Sequence, residues 1–326
     1  MFWKGPVFTS EGFVEKGIDL ENCSITNNIE GEENGIIIPL FRNCHTHLGD
    51  TGARKSLPDN LSLAKLVGPG GWKHKWLENN DIEKSILEGL KEATYSGTGL
   101  IMDFREGGKK GLDVFKIHDY LGTSILFGRP SKDGELPGNH AGISSLADVG
   151  DLASKMSSQA REREGLIGIH HSENEHEKID DLIELNPDFI VHLCHATEGD
   201  LEALKESNIS VVVCPRSNDY FGNRPPLEKM IDIGLDLGFG TDNGMICSVN
   251  MLDEIRFIKE NYPSIDLHKI LEIACFGLED MFNKDETSRY FNPKLNGWAL
   301  LSRETEDNYE SIFSPETKVL GARWRN

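Results

Sequence analysis

Positive charge is scarce in this chain. Its 326 residues carry 34 lysines and arginines against 54 aspartates and glutamates, a formal net charge of −20. Such a field repels phosphate backbones and anionic lipid, so neither nucleic acid nor a membrane is an expected partner. Apolar runs are short, and none reaches the roughly 18 residues of a membrane-spanning helix. The opening residues MFWKGPVFTSEGF lack the apolar stretch and small-residue cleavage site of a signal peptide, which leads to the expectation of a cytoplasmic protein. Cysteine is sparse and scattered: Cys23, Cys44, Cys194, Cys214, Cys247 and Cys275 include no CxxC pair and no disulfide-like framework. They read as reduced, mostly buried thiols. With 38% hydrophobic and 27% charged residues, the chain also lacks the composition of a disordered one.

What the sequence does have is a repeating pattern of short apolar strand, loop and amphipathic helix. Eight strands are predicted, at 36–47, 99–106, 124–130, 139–146, 166–173, 189–197, 209–218 and 235–243. They are apolar almost throughout rather than alternating, as in a parallel sheet covered by helices. Segments such as DIEKSILEGLKEATYSG and EGDLEALKESN carry the helical period between them. Eight such units predict an α/β fold, a (β/α)8 TIM barrel. A doubly wound open sheet is the alternative, disfavoured because no glycine-rich phosphate loop follows the first strand. Both chain ends read as β structure, so residues 1–40 plus 290–326 are expected to form a small β-sandwich appendage beside a barrel of residues 41–289.

In such barrels the chemistry lies at the carboxyl ends of the strands. The first strand ends NCHTHLGD, and side chains at i and i+2 point the same way, so His45 and His47 converge. Alone this is weak, because 11 histidines in 326 residues give roughly 0.4 such pairs by chance. Three other strands strengthen it. The fifth ends IHHSE with His170, His171 and Glu173; the sixth carries His192 and His195 in VHLCHAT; the eighth ends GTDN with Asp242. His45, His47, His170 and Asp242 supply the three nitrogens and one carboxylate that suit zinc with an open position. Water on such a metal has a pKa of about 7. Asp242 could then take its proton, Glu173 could act as the acid that protonates the substrate, and His192 could orient the substrate.

With these residues in place, the sequence resembles the amidohydrolase superfamily, in its branch of cytosine-, guanine- and adenosine-type deaminases and chlorohydrolases. The resemblance runs from about residue 5 to 300 through IIIPLFRNCHTHLGDT, IHHSE, VHLCHATEGDLEAL, VVVCPRSN and GFGTDN. It implies His45, His47, His170 and Asp242 as metal ligands, Glu173 as proton shuttle, His192 as the strand-six histidine, and Asn218 in the substrate site. It also implies the terminal β-sandwich, reduced here because the termini are short. GTDN stands where GTDG or GTDS is usual. No carboxylated lysine is offered near the fourth strand, Lys132 being upstream in a loop, so a single divalent metal is expected, zinc before iron.

Other residues allow two readings. Arg105 and Arg129 end strands and could bind an anionic substrate group, or neutralise acids such as Asp103 and Glu106. Trp72, on the glycine-rich loop that also holds Trp76, could cover a planar ring or pack beneath the loop. His195 is ranked behind His192 for the site. His171 should point away from the metal; His74 and His140 are rim candidates, and His118, His176 and His268 are expected on helix surfaces.

The expected activity is metal-dependent hydrolysis of C–N bonds, foremost deamination of a heteroaromatic small molecule such as a nucleobase or nucleoside. The alternatives are a cyclic amide hydrolase or chlorohydrolase, and a non-catalytic metal-binding barrel. A homo-oligomer stays open.

Overall fold

A computed structural model gives the fold and describes residues 1–27, 33–68, 70–116, 120–129, 134–284, 287–292 and 297–325. His118 and Lys132 lie outside these described residues. The strands are β1 (Phe2–Thr9), β2 (Gly12–Asp19), β3 (Ser24–Thr26), β4 (Ile36–Pro39), β5 (Phe41–His47), β6 (Thr98–Arg105), β7 (Thr123–Gly128), β8 (His140–Ile143), β9 (Ile167–His171), β10 (Phe189–His192), β11 (Ser210–Val213), β12 (Leu237–Phe239), β13 (Asp242–Asn243), β14 (Gly297–Leu301) and β15 (Val319–Trp324).

Strands β5 to β12 pair in chain order, every pair parallel, and β13 pairs back onto β5 through Asp242↔Thr46. β12 and β13 are two halves of the eighth strand, so the sheet returns to its first strand as in a TIM-like barrel. The join between the halves is tight. A Cβ on Gly240 would lie 2.7 Å from that of His45, so only glycine lets the eighth strand pass the first metal-ligand candidate. β6 is buried at every position, and each of Leu100, Ile101, Met102 and Phe104 contributes on the order of 1.5–3 kcal/mol through burial.

The predicted strand 36–47 is two strands. Pro39 has no N–H to continue a ladder, and the chain changes sheets after it: Leu40 N donates to Gly297 O and Phe41 N to Gly97 O. β4 therefore joins the terminal sheet, ordered β15-β14-β4-β1-β2-β3, and β5 begins the barrel. The appendage from both chain ends is a single six-stranded sheet rather than two stacked ones. Its edges bend toward each other: Arg323 on β15 donates to Leu20 O in the turn after β2, and Trp298 Nε1 donates to Cys23 O. Val7, Ile18, Ile37 and Leu300 are enclosed between them, while Phe8, Ile36, Ile38 and Leu301 on the opposite face join the barrel core.

The helices start where the sequence offers caps. Asp81 accepts from Lys84 N to open Ile82–Tyr95, whose Ile86, Leu90 and Ala93 face the barrel. Thr197 and Asp200 form a reciprocal capping box for Glu198–Glu206. Among the described residues no helix is long and apolar enough to cross a membrane.

His140, expected near the rim, instead closes a strand gap: its Nδ1 accepts from Leu166 N at 2.9 Å, and its ring lies 4.5 Å from that of Tyr290. Burial, aided by Arg289, holds this imidazole down to about 4 from its ordinary 6.5. Between those values the unfolded chain binds the extra proton, so stability rises with pH across the window and is lost as pH falls through it. The contribution is at most about 3 kcal/mol. Denaturant melts from pH 4 to 6.5 should show a shallower slope for His140→Asn, whose amide oxygen can still accept from Leu166.

Candidate metal centre

His45 and His47 stand two apart at the carboxyl end of β5, and His170 reaches the same space from β9. His45 Nε2 is 3.2 Å from His170 Nε2 and 3.2 Å from Asp242 Oδ1; His47 Nε2 is 3.5 Å from that same oxygen. The remaining ring nitrogens fix two tautomers. His47 Nδ1 lies 3.0 Å from Glu106 Oε1, and His170 Nδ1 lies 2.9 Å from Ile143 O. Carbonyl and carboxylate oxygens only accept, so both Nδ1 atoms carry the hydrogen and both Nε2 atoms turn lone pairs inward.

Asp242 sits at φ +56°, a left-handed conformation that aspartate tolerates better than most residues. Its Oδ2 accepts from Ser217 Oγ at 2.5 Å and from Asn243 Nδ2 at 2.9 Å, while the buried Oδ1 has no hydrogen-bond partner. Burial pushes all three imidazoles below their ordinary value, His47 to about 3, so each is neutral at pH 7. Burial opposes ionisation of Asp242, but the contact with His45 and the surrounding imidazoles outweigh it and hold the carboxyl well below the usual range. The inward lone pairs of His47 and His170, the His45 ring and one negative charge thus gather around a single buried point. A cation with nitrogen and oxygen ligands fits this set.

Beside it, Glu173 Oε2 is 3.7 Å from His192 Nε2, and ligand atoms of Glu173, His192 and Asp242 lie within 4.8 Å of one another. Burial raises the Glu173 carboxyl above its ordinary value. His192 ends β10 at φ +81°, and Asn218 Nδ2 at 3.1 Å from its Nδ1 fixes the ring. Backbone held in so sparse a region persists only where its surroundings impose it, commonly at functional sites.

Comparison with known proteins agrees with this geometry. The model of the amidohydrolase family matches residues 151–287. A protein of Archaeoglobus fulgidus, provisionally named an aminohydrolase, is 31% identical over 264 residues, 78% of each chain. This chain belongs to the amidohydrolase family. It is a metal-dependent hydrolase of C–N bonds. The 5-methylthioadenosine/S-adenosylhomocysteine deaminase of Caldanaerobacter subterraneus is 26% identical over 76% of this amidohydrolase and 67% of its own length. Among solved structures, Helicobacter pylori aminofutalosine deaminase in complex with methylthio-coformycin aligns with a TM-score of 0.76 at 18% identity, covering 98% of both chains.

A cavity of about 480 Å³ opens above the centre of this amidohydrolase, lined by His47, His170, Glu173, His192 and Asp242 and, on the facing side, by Lys73 and Arg129. Arg129 lines this cavity, with its guanidinium 3.9 Å from Glu106 Oε1. Arg105 does not line it: it is fully buried, 2.8 Å from Asp103 and 2.9 Å from Glu106, so the neutralising reading describes it. Trp72 opens the helix Trp72–Asn79 and packs against the cluster of Ala53, Leu66 and Met245 instead of lining the cavity. His195 lies past the end of β10, exposed and 3.2 Å from Asn223 Oδ1. Asn218 is buried and reaches the site through His192 alone. His171, expected to point away from the metal, is in none of the converging groups, and it lines the cavity 3.7 Å from Glu177.

Sequence reasoning passed over Lys73, Glu106 as a partner of His47, and Ser217. Asn243 had a signal, the departure in GTDN. Its amide donates to Asp242 and its carbonyl oxygen accepts from Lys73 at 2.8 Å, which glycine could not do.

Proposed function

We propose that this amidohydrolase is a hydrolytic deaminase removing the exocyclic amine of an adenine-type or related heteroaromatic ring. The observation that carries the reading is Glu173, a partly buried carboxyl raised above its ordinary value, on the cavity wall beside both His192 and Asp242. An acid at that place that holds its proton more firmly than an ordinary glutamate suits an amidine-like ring, whose nitrogen must gain a proton as the neighbouring carbon is attacked. The relatives named as deaminases of adenosine derivatives support the same class.

His45, His47, His170 and Asp242 would hold a single divalent metal, for which three imidazoles and a carboxylate favour zinc; it supplies Lewis acidity and lowers the pKa of water to about 7. Asp242, its Oδ2 anchored by Ser217 and Asn243, takes the proton of the attacking water through Oδ1. Glu173 gives its proton to the ring nitrogen as the C–O bond forms. The proton on Asp242 then passes to the amine, the hydroxyl proton returns to Glu173 as the C=O bond forms, the C–N bond breaks and ammonia leaves. His192, locked by Asn218, orients the ring carbon. We further read residues 41–289 as the hydrolase unit and 1–40 plus 290–326 as a separate small β unit. Six free thiols fit cytoplasmic action.

The test is an ammonia-release screen over adenosine derivatives, nucleobases and pterins with zinc-loaded protein. Ammonia formed in step with loss of the aminated ring is expected. Chloride release from a chlorotriazine, or opening of a cyclic amide, without ammonia release from any aminated ring would replace deamination with one of the other hydrolyses.

A further inference from the structure

Lysine is almost never fully buried, yet Lys73 is 2% exposed. It stands on the helix Trp72–Asn79, which belongs to no strand of the barrel and follows the segment whose Leu63, Ala64, Val67 and Gly68 wall the cavity. Its ammonium donates to Asn243 Oδ1 at 2.8 Å and forms ion pairs with Glu106 Oε1 at 2.8 Å and Asp50 Oδ2 at 3.0 Å. Two of these go on to the metal ligands. Glu106 meets His47 Nδ1 at 3.0 Å, and Asn243 donates to Asp242 Oδ2 at 2.9 Å. The third, Asp50, accepts from Met245 N just beyond the eighth strand.

We propose that Lys73 is a positioning residue: one ammonium fixes both His47 and Asp242, from strands one and eight, and ties them to the helix Trp72–Asn79 beside the substrate cavity. The inference rests on the metal-centre reading above and extends it outward. Each ligand is aimed by a partner that is itself aimed by Lys73, so the helix cannot lift without loosening two ligands at once. Partners of this kind typically change metal affinity 10- to 100-fold when removed.

Buried Asp50, Asp103 and Glu106 are faced by Lys73, Arg105 and, 3.9 Å from Glu106, Arg129, so loss of Lys73 alone leaves an extra buried negative charge. The charge-balanced variant Lys73→Met/Asp50→Asn removes the ammonium and one carboxylate together; Lys73→Arg keeps the charge but not the compact three-way fork. Apo protein is loaded with Co²⁺, whose visible bands report ligand geometry without any substrate, and release into excess chelator is timed. The expected result is an altered band shape and at least 10-fold faster release in either variant, at a melting temperature that shows it folded. A folded variant with the native spectrum and release rate overturns the proposal. Failure of the unmodified protein to take up Co²⁺ overturns the metal-centre reading itself, which separates the two failures.

Discussion

Glu173→Gln should lower kcat by about 10²- to 10⁴-fold, the range a positioned acid supplies, and lower kcat/KM to the same degree. Glutamine keeps the shape and can still hydrogen-bond a ring nitrogen, so binding should change little. It cannot give up a proton. Because Glu173 is not one of the four proposed ligands, bound zinc measured by atomic emission should be unchanged. Burial raises this carboxyl, so the limb of the kcat/KM profile that follows loss of its proton should lie above the 4.5 of an ordinary glutamate and vanish in the variant. Turnover retained at the native level with native metal content would remove Glu173 from the reaction.

The barrel was legible because parallel strands buried on both faces read as plain apolar runs, and β8, β9, β10 and β11 fall inside the predicted segments. The proposed four-ligand set was open to sequence reasoning because each member lies at or near the carboxyl end of a barrel strand, where the side-chain period of two gives a direction. The limits have physical causes. Periodicity carries no information once a strand ends, and β10 ends at His192, so the turn through Leu193 at φ +55° sends His195 outward by a path that no pattern encodes. Pro39 reads as an interruption within one apolar run, yet the two sides belong to different sheets. Arg105 and Lys73 show the same limit for charge. Their positions follow from buried carboxylates 23 and 33 residues away from Lys73, and one and two residues away from Arg105, and a helix bearing WKHKW looks solvated until Asp50, Glu106 and Asn243 are folded beneath it.

Asp242→Asn should separate binding from stability. In the native site three neutral imidazoles and one carboxylate oxygen face each other, with no donor for Oδ1. An orphaned buried acceptor costs about 1–3 kcal/mol, and without a cation that cost stays in the folded state. Asparagine reverses the situation. Its oxygen can keep the bonds from Ser217 and Asn243, while its amide hydrogens meet the lone pairs of His45 and His47, 3.2 and 3.5 Å from the atom they replace. The chelated variant should therefore melt at or above the chelated native protein. It should also lose the negative ligand, weakening zinc by more than the 10- to 100-fold typical of outer partners. Metal bound only to the folded state stabilises it by RT ln(1 + [L]/Kd), so the rise in melting temperature that zinc gives the native protein should largely disappear in the variant. Scanning calorimetry with and without zinc reads both effects. A variant that still gains stability from zinc as the native protein does would place the metal elsewhere than at Asp242.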